Sequence, residues 1–157
     1  MEQWLIDSSK IIIPGIFVAI VTSMITVRLS IRRFYEEKWW ERKFDVYSKL
    51  FKALHHLKNY ALEHLETYHT HQDIPEDKRA ELEHDWKTFS REFDELFDLA
   101  PFQLNAKSVS ILKEYEKKKN EARNHEDIYK WIDTDAQAAI DCIKQLSNEA
   151  KNDLKVK

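Results

Sequence analysis

Residues 11–27 read Ile11-Ile-Ile-Pro14-Gly15-Ile-Phe17-Val18-Ala19-Ile20-Val21-Thr22-Ser23-Met24-Ile25-Thr26-Val27, seventeen positions without a charge in a chain that is otherwise 34% charged. At about 1.5 Å of rise per residue, such a helix covers roughly 26 Å. That is slightly less than a hydrocarbon core of about 30 Å, and Leu29 and Ile31 extend the apolar character while Arg28 can snorkel. The stretch is therefore expected to span a bilayer, with residues 1–10 on one side, a membrane helix over 11–31 and a highly charged body over 32–157. A cleaved signal peptide fits poorly. Met1–Lys10 carries Glu2 and Asp7 where a basic cluster would be needed, and no small-residue cleavage site follows the apolar run.

Charge on the two flanks sets the expected orientation. Lys10 is the lone basic residue before the span, whereas Arg28, Arg32, Arg33, Lys38, Arg42 and Lys43 follow it. The positive-inside rule counts lysine and arginine, so the N-terminus is expected outside and the body in the cytoplasm. Trp4 on one side, and Phe34 and Tyr35 on the other, suit the interfacial aromatic belts. Within the span, Gly15, Ala19 and Ser23 recur every four residues, with Thr22 and Thr26 beside them. Small residues at that spacing let two helix backbones approach and place hydroxyls at the contact, so self-association through this face is expected. Pro14 is read as lying near the helix start, where a missing N–H costs least or where it bends the outer end.

The body reads as all-α. One Gly and three Pro in 157 residues leave almost nothing for tight hairpins. Trp40, Phe44, Tyr47, Phe51, Leu54, Ala61, Leu65 and Tyr68 recur at helical steps, widened by Leu50 and Leu57, so the first helix is expected to run from the membrane to about Tyr68. Thr70–Pro75 interrupts it, with Asp73 as a cap and Pro75 in the next first turn. A second helix carries Leu82, Trp86, Phe89, Phe93 and Leu96 and is stopped by Pro101. Asn105 caps a third bearing Val109, Leu112 and Tyr115, which loses its apolar face over Lys117–Asn124. The last presents Ile132, Ala136, Ala139, Ile143, Leu146 and Ala150. Short connections favour an antiparallel four-helix bundle continuous with the membrane helix.

Leaving out Glu2, Asp7 and Lys10, the body holds 24 basic and 26 acidic residues, a net charge of −2. This balance describes solvated helix faces and argues against general nucleic-acid binding, which needs a basic excess. Arg28, Arg32 and Arg33 are better matched to anionic lipid headgroups. Lys117–Lys119 is read as a solvated loop. Cys142 is the one cysteine, so no internal disulfide is possible, and it is read as a buried thiol.

Five of seven histidines fall at His55, His56, His64, His69 and His71, a density that could bind a metal or sense pH. Glu66/His69 and Glu81/His84 also have the Glu-x-x-His spacing of di-iron bundles. Such ligands must project inward, yet Glu66 lies about 120° around the helix from Leu54, and no metal or other cofactor is expected. The only Gly lies in the apolar run, which excludes a Gly-rich phosphate loop, and no nucleophile-elbow or zinc-protease motif occurs. Asp133 and Asp135 are read as capping or solvating a helix start. An enzyme is not expected.

The segment Arg32-Arg33-Phe34-Tyr35-Glu36-Glu37-Lys38-Trp39-Trp40-Glu41-Arg42-Lys43 is the most distinctive part of the body. Trp39 and Trp40 point to different helix faces, so one can join the core while the other meets headgroups or a partner. An apolar span, a basic-aromatic stretch, a Trp-Trp pair and Phe44-Asp45-Val46-Tyr47 together resemble small bacterial inner-membrane proteins with one N-terminal span and a cytoplasmic helical domain. Some of these are encoded beside phage-defence systems of the retron type. The resemblance covers residues 11–68 and implies an effector that, released from a partner, oligomerises and impairs the membrane; no individual residue carries a role over. Two readings stand beside it: a passive anchor or scaffold that recruits a cytosolic protein through the bundle, and a pH- or metal-responsive sensor built on the histidines.

Overall fold

A computed structural model describes residues 2–71, 73–124 and 126–155, with side-chain surroundings from Phe17 onward. The described residues form four α-helices and no strand: α1 (Glu2–Thr70), α2 (Glu76–Gln103), α3 (Ala106–Ala122) and α4 (Ile128–Asp153). The all-α reading and the helical bundle hold. The chain divides into two compact units, one ending at Glu41 and one beginning at Arg42.

In the first unit every side chain from Phe17 to Glu41 is exposed. Among the described residues, no helix is long and apolar enough to cross a membrane. Ile11–Ile16, the first six residues of the uncharged run, lie outside that description except for their helical backbone. Because α1 begins at Glu2, Pro14 sits about three turns inside the helix and not near its start.

The second unit is a bundle whose helix directions follow from side-chain pairs. Lys43 and Tyr68, near the two ends of the α1 segment, meet Asp153 and Tyr129, so α4 runs opposite to α1. Glu63 pairs with Lys78 and His56 with Asp85, so α2 also runs opposite to α1. Asn105 reaches Glu149 while Lys118 faces Asp141, which makes α3 and α4 antiparallel. The result is an up-down-up-down bundle with short connections.

Core positions follow the 3.6-residue repeat. Tyr47, Leu50, Leu54 and Leu57 of α1 meet Phe89, Phe93 and Leu96 of α2, Leu112 and Tyr115 of α3, and Cys142 and Leu146 of α4. The expected α1 stripe is too long at both ends: Trp40, Phe44 and Tyr68 are exposed. Beyond Leu57 the core narrows to a second cluster of Ala61, Leu65 and Ala136, flanked by Tyr129 and Ile132. The small side chain of Ala61 borders a space in this end of the bundle.

Several expected boundaries shift. Asp73 does not cap α2; Pro75 occupies the position before it, with extended backbone and no side-chain cap. Pro101 lies inside the last turn of α2, which ends at Gln103, because a proline there forfeits one amide bond while the Leu104 N–H still reaches the Ala100 carbonyl at 2.9 Å. Asn105 caps α3 as expected, its side chain accepting from the Ser108 N–H at 2.8 Å. Lys117–Asn120 is helix and not loop, and Asp127, not Asp133 or Asp135, caps α4 by accepting from the Tyr129 N–H.

Candidate functional site

The residues expected to act in the first unit all lie on α1. Gly15 falls where only the helix backbone is described, so its surroundings lie outside the described residues. Ala19, Thr22, Ser23 and Thr26 are exposed. The Thr26 hydroxyl donates to the Thr22 carbonyl at 2.8 Å, leaving its lone pairs, and not its proton, for a contact with another helix.

Arg28, Arg32, Arg33, Phe34, Tyr35, Trp39 and Trp40 are exposed as well. Arg32 Nε pairs with Glu36 at 2.9 Å, and the Lys38 ammonium bonds Glu41 at 2.7 Å while standing 6.0 Å from the Phe34 ring. Trp39 and Trp40 retain 48% and 43% of their surface, so neither enters the core; among the described residues the first buried side chains are Val46 and Tyr47. This segment offers guanidinium groups followed by aromatic side chains.

The histidines scatter. His55 bonds Asn59, His56 stacks on Phe89 at 3.8 Å while pairing with Asp85, and His69 bonds the Tyr129 hydroxyl at 2.8 Å. Burial, with the charge of Lys58, lowers the His55 pKa, and burial with Arg79 lowers that of His64. Among the described residues, no three His, Cys, Asp or Glu side chains are gathered to hold a metal.

The built site of the molecule is elsewhere, in the widened end of the bundle. A cavity of about 310 Å³ lies among all four helices. Helix α1 contributes Tyr60, Ala61 and His64, and α2 contributes Trp86. Lys119 and Arg123 come from the end of α3, and Trp131, Ile132 and Asp135 from α4. The pairs Tyr60/His64, Lys119/Arg123 and Trp131/Asp135 are each four residues apart, so each helix or helix end presents two groups on one face. Tyr60 stacks obliquely on Trp86, with centroids 5.7 Å apart, and meets the His64 ring edge at 4.4 Å.

Charge inside the cavity is unusual. Lys119 keeps 7% of its surface, lies 5.6 Å from the Phe93 ring and pairs with Glu116 at 3.3 Å. Burial pushes the Asp135 carboxyl above its usual range, opposed by Lys119 and Arg123. Its Oδ1 is buried without a hydrogen-bond partner. Fewer such orphans occur in folded proteins than satisfied groups, by a wide margin.

Sequence reasoning missed this site, although signals existed. Asp135 lies three residues after Ile132 and four before Ala139, on the α4 stripe, and Lys119 lies four after Tyr115 on the α3 stripe. A charge at a stripe position marks a buried ion before any coordinates are known. Comparison of the chain with protein-family models, with curated proteins and with solved structures finds no match to any of them.

Proposed function

We propose that this protein is a single-pass membrane protein that acts by association, not catalysis. The reading rests on one observation: between Phe17 and Ile31, Phe17, Val18, Ile20, Val21, Met24, Ile25, Val27, Leu29 and Ile31 are all exposed. At 100° per residue these nine cover an arc of about 200°, and Ala19, Thr22, Ser23, Thr26 and Ser30 fill an arc of about 100° between its edges. An exposed apolar surface of this width needs lipid or protein to cover it. The narrower face of small and hydroxyl residues suits close approach of a second copy, and Gly15 extends it toward the N-terminus. Ile11–Ile16 complete an uncharged run long enough to reach across a bilayer with its flanks.

Arg28, Arg32 and Arg33 then meet anionic headgroups, with Phe34, Tyr35, Trp39 and Trp40 at the interface, and the bundle faces the cytoplasm of a bacterial cell. On this reading the bundle is restrained by a cytosolic partner, and its release lets the spans assemble and impair the inner membrane. Support for that last step is the resemblance to small membrane proteins encoded beside phage-defence systems. The alternative, a passive anchor that recruits a cytosolic protein, shares the membrane segment and differs in what the segment does.

The test is expression of the protein alone in bacterial cells, with a voltage-sensitive dye and chemical cross-linking of washed membranes. An assembling effector depolarises the membrane and cross-links into oligomers, and Gly15→Leu with Ala19→Leu abolishes both. Membrane-retained protein that neither depolarises nor cross-links leaves the passive anchor. Protein that an alkaline wash strips from the membrane overturns the reading.

A further inference from the structure

The cavity among the four helices takes no part in that membrane reading, and its lining carries a separate inference. The charges there are already answered. The positive charges of Lys119 and Arg123 oppose the desolvation of Asp135, Lys119 is paired with Glu116, and burial beside Arg79 keeps His64 toward its neutral form. An added cation or anion would leave a buried charge unmatched, which is unfavourable at such depth. What is unmatched is a hydrogen bond: Asp135 Oδ1 has no donor.

The other requirement is shape. The aromatic side chains of Trp86, Trp131 and Tyr60 line the space, while Ala61 leaves room. Aromatic walls gain most from a flat guest that can stack or meet them edge-on. A volume of about 310 Å³ is at the small end for ligand cavities, enough for one or two fused rings and too small for a peptide. Arg123, beside Asp135 on the cavity wall, can donate to an acceptor on the same guest.

We propose that this cavity binds a small uncharged heteroaromatic molecule, of the nucleobase type, whose N–H donates to the Asp135 carboxylate while a neighbouring acceptor takes a hydrogen bond from Arg123. Its rings lie against Trp86 and Trp131. Because all four helices contribute to the wall, occupancy ties the end of α3 to α1, α2 and α4 together.

The test is a titration of the full-length ¹⁵N-labelled protein in detergent micelles with adenine, hypoxanthine, choline and octanoate, following the five tryptophan indole N–H signals. Adenine or hypoxanthine is expected to shift Trp86 and Trp131 saturably and to leave Trp4, Trp39 and Trp40 in place. Asp135→Asn is expected to weaken binding about tenfold, since a neutral amide that also carries donors replaces an acceptor that can be charged. Ala61→Leu, which fills the space, should abolish it, with a urea midpoint close to that of the wild type reporting an intact bundle. Three results overturn the proposal: no saturable shift with either base, equal affinity in wild type and both variants, or preferential binding of choline or octanoate.

Discussion

The Tyr47 hydroxyl donates to Asp153 Oδ2 at 2.9 Å, joining α1 to the last turn of α4 in the interior of the bundle. Because a carboxylate only accepts, the 2.7 Å bond between Tyr47 and Ser108 has the Ser108 hydroxyl as donor. Lys43 closes the cluster on Asp153 Oδ1 at 2.7 Å. Burial is the main reason the Tyr47 phenol is pushed well above its usual range, so the proton that makes this bond stays in place. Tyr47→Phe removes a bond to an ionised group and orphans the fully buried Ser108 hydroxyl. The expected loss is about 2 kcal/mol of unfolding free energy by urea titration. Adding Ser108→Ala to Tyr47→Phe should restore part of it, because the orphaned donor disappears; an additive further loss would mean that the two hydroxyls are not coupled.

Asp135 contributes in the opposite direction. Its folded pKa is raised by burial, so the fold favours the protonated acid. The associated stability is complete below the ordinary aspartate value and is lost as pH rises through the raised one. Asp135→Asn should therefore flatten the pH dependence of stability in that window and leave the bundle at least as stable as wild type at pH 7. Thermal melts of both proteins across pH 4–7 check this. A variant that is less stable at every pH would show that attraction to the charges of Lys119 and Arg123 outweighs the desolvation.

Those two residues also mark where the sequence was readable. Helix number, the Asn105 cap and the core positions Tyr47, Leu54, Phe93 and Leu146 follow from a period of 3.6 and from local capping chemistry, both written within a few neighbouring residues. Trp40 and Tyr68 obey the same period yet stay exposed, because a stripe is buried only where other helices run alongside it, and chain length does not reveal that. Lys119 and Asp135 are harder. Whether a charge on a stripe is solvated or buried depends on partners such as Glu116, Arg123 and Phe93, two of them on the same helix end and one on another helix. The cavity is a further step away, since its wall is assembled from residues such as Ala61, Trp86, Lys119 and Asp135, which come from four separate stretches of the chain.

Cys142 is buried on the α4 stripe, and burial pushes its thiol up to about 12. Both access and thiolate are then lacking at neutral pH. Native protein should resist a maleimide or disulfide reagent for as long as it stays folded, and react within the mixing time of a urea jump. Rapid labelling without denaturant would mean that α4 opens locally.

Core packing makes a paired prediction on α1. Leu54 is fully buried and Leu62 keeps 40% of its surface. Leu54→Ala removes a fully buried side chain from the core cluster shared by the four helices and should lose about 2–5 kcal/mol. Leu62→Ala should lose much less, on the order of 0.5 kcal/mol or below. Urea midpoints of the two variants, compared at one pH, give the difference directly; equal losses would place Leu62 against a surface formed only in an assembled state.

Glu149 provides the acid-sensitive counterpart to Asp135. Lys107 donates to its Oε2 at 2.7 Å and Asn105 to its Oε1 at 2.9 Å, and these two bonds hold its pKa below the usual carboxylate range. A lowered folded pKa contributes stability that is present above the unfolded value and is lost as pH falls through the folded one. Glu149→Gln should therefore reduce stability at pH 7 and narrow its difference from wild type as pH falls below about 4. Because Asn105 also caps α3 through the Ser108 N–H, the loss should extend to that helix end. Hydrogen exchange in Glu149→Gln at pH 7 is expected to speed up at Lys107 and Ser108 before the middle of α3. Uniform acceleration along α3 would assign Glu149 a global role, with no special hold on the Asn105 cap.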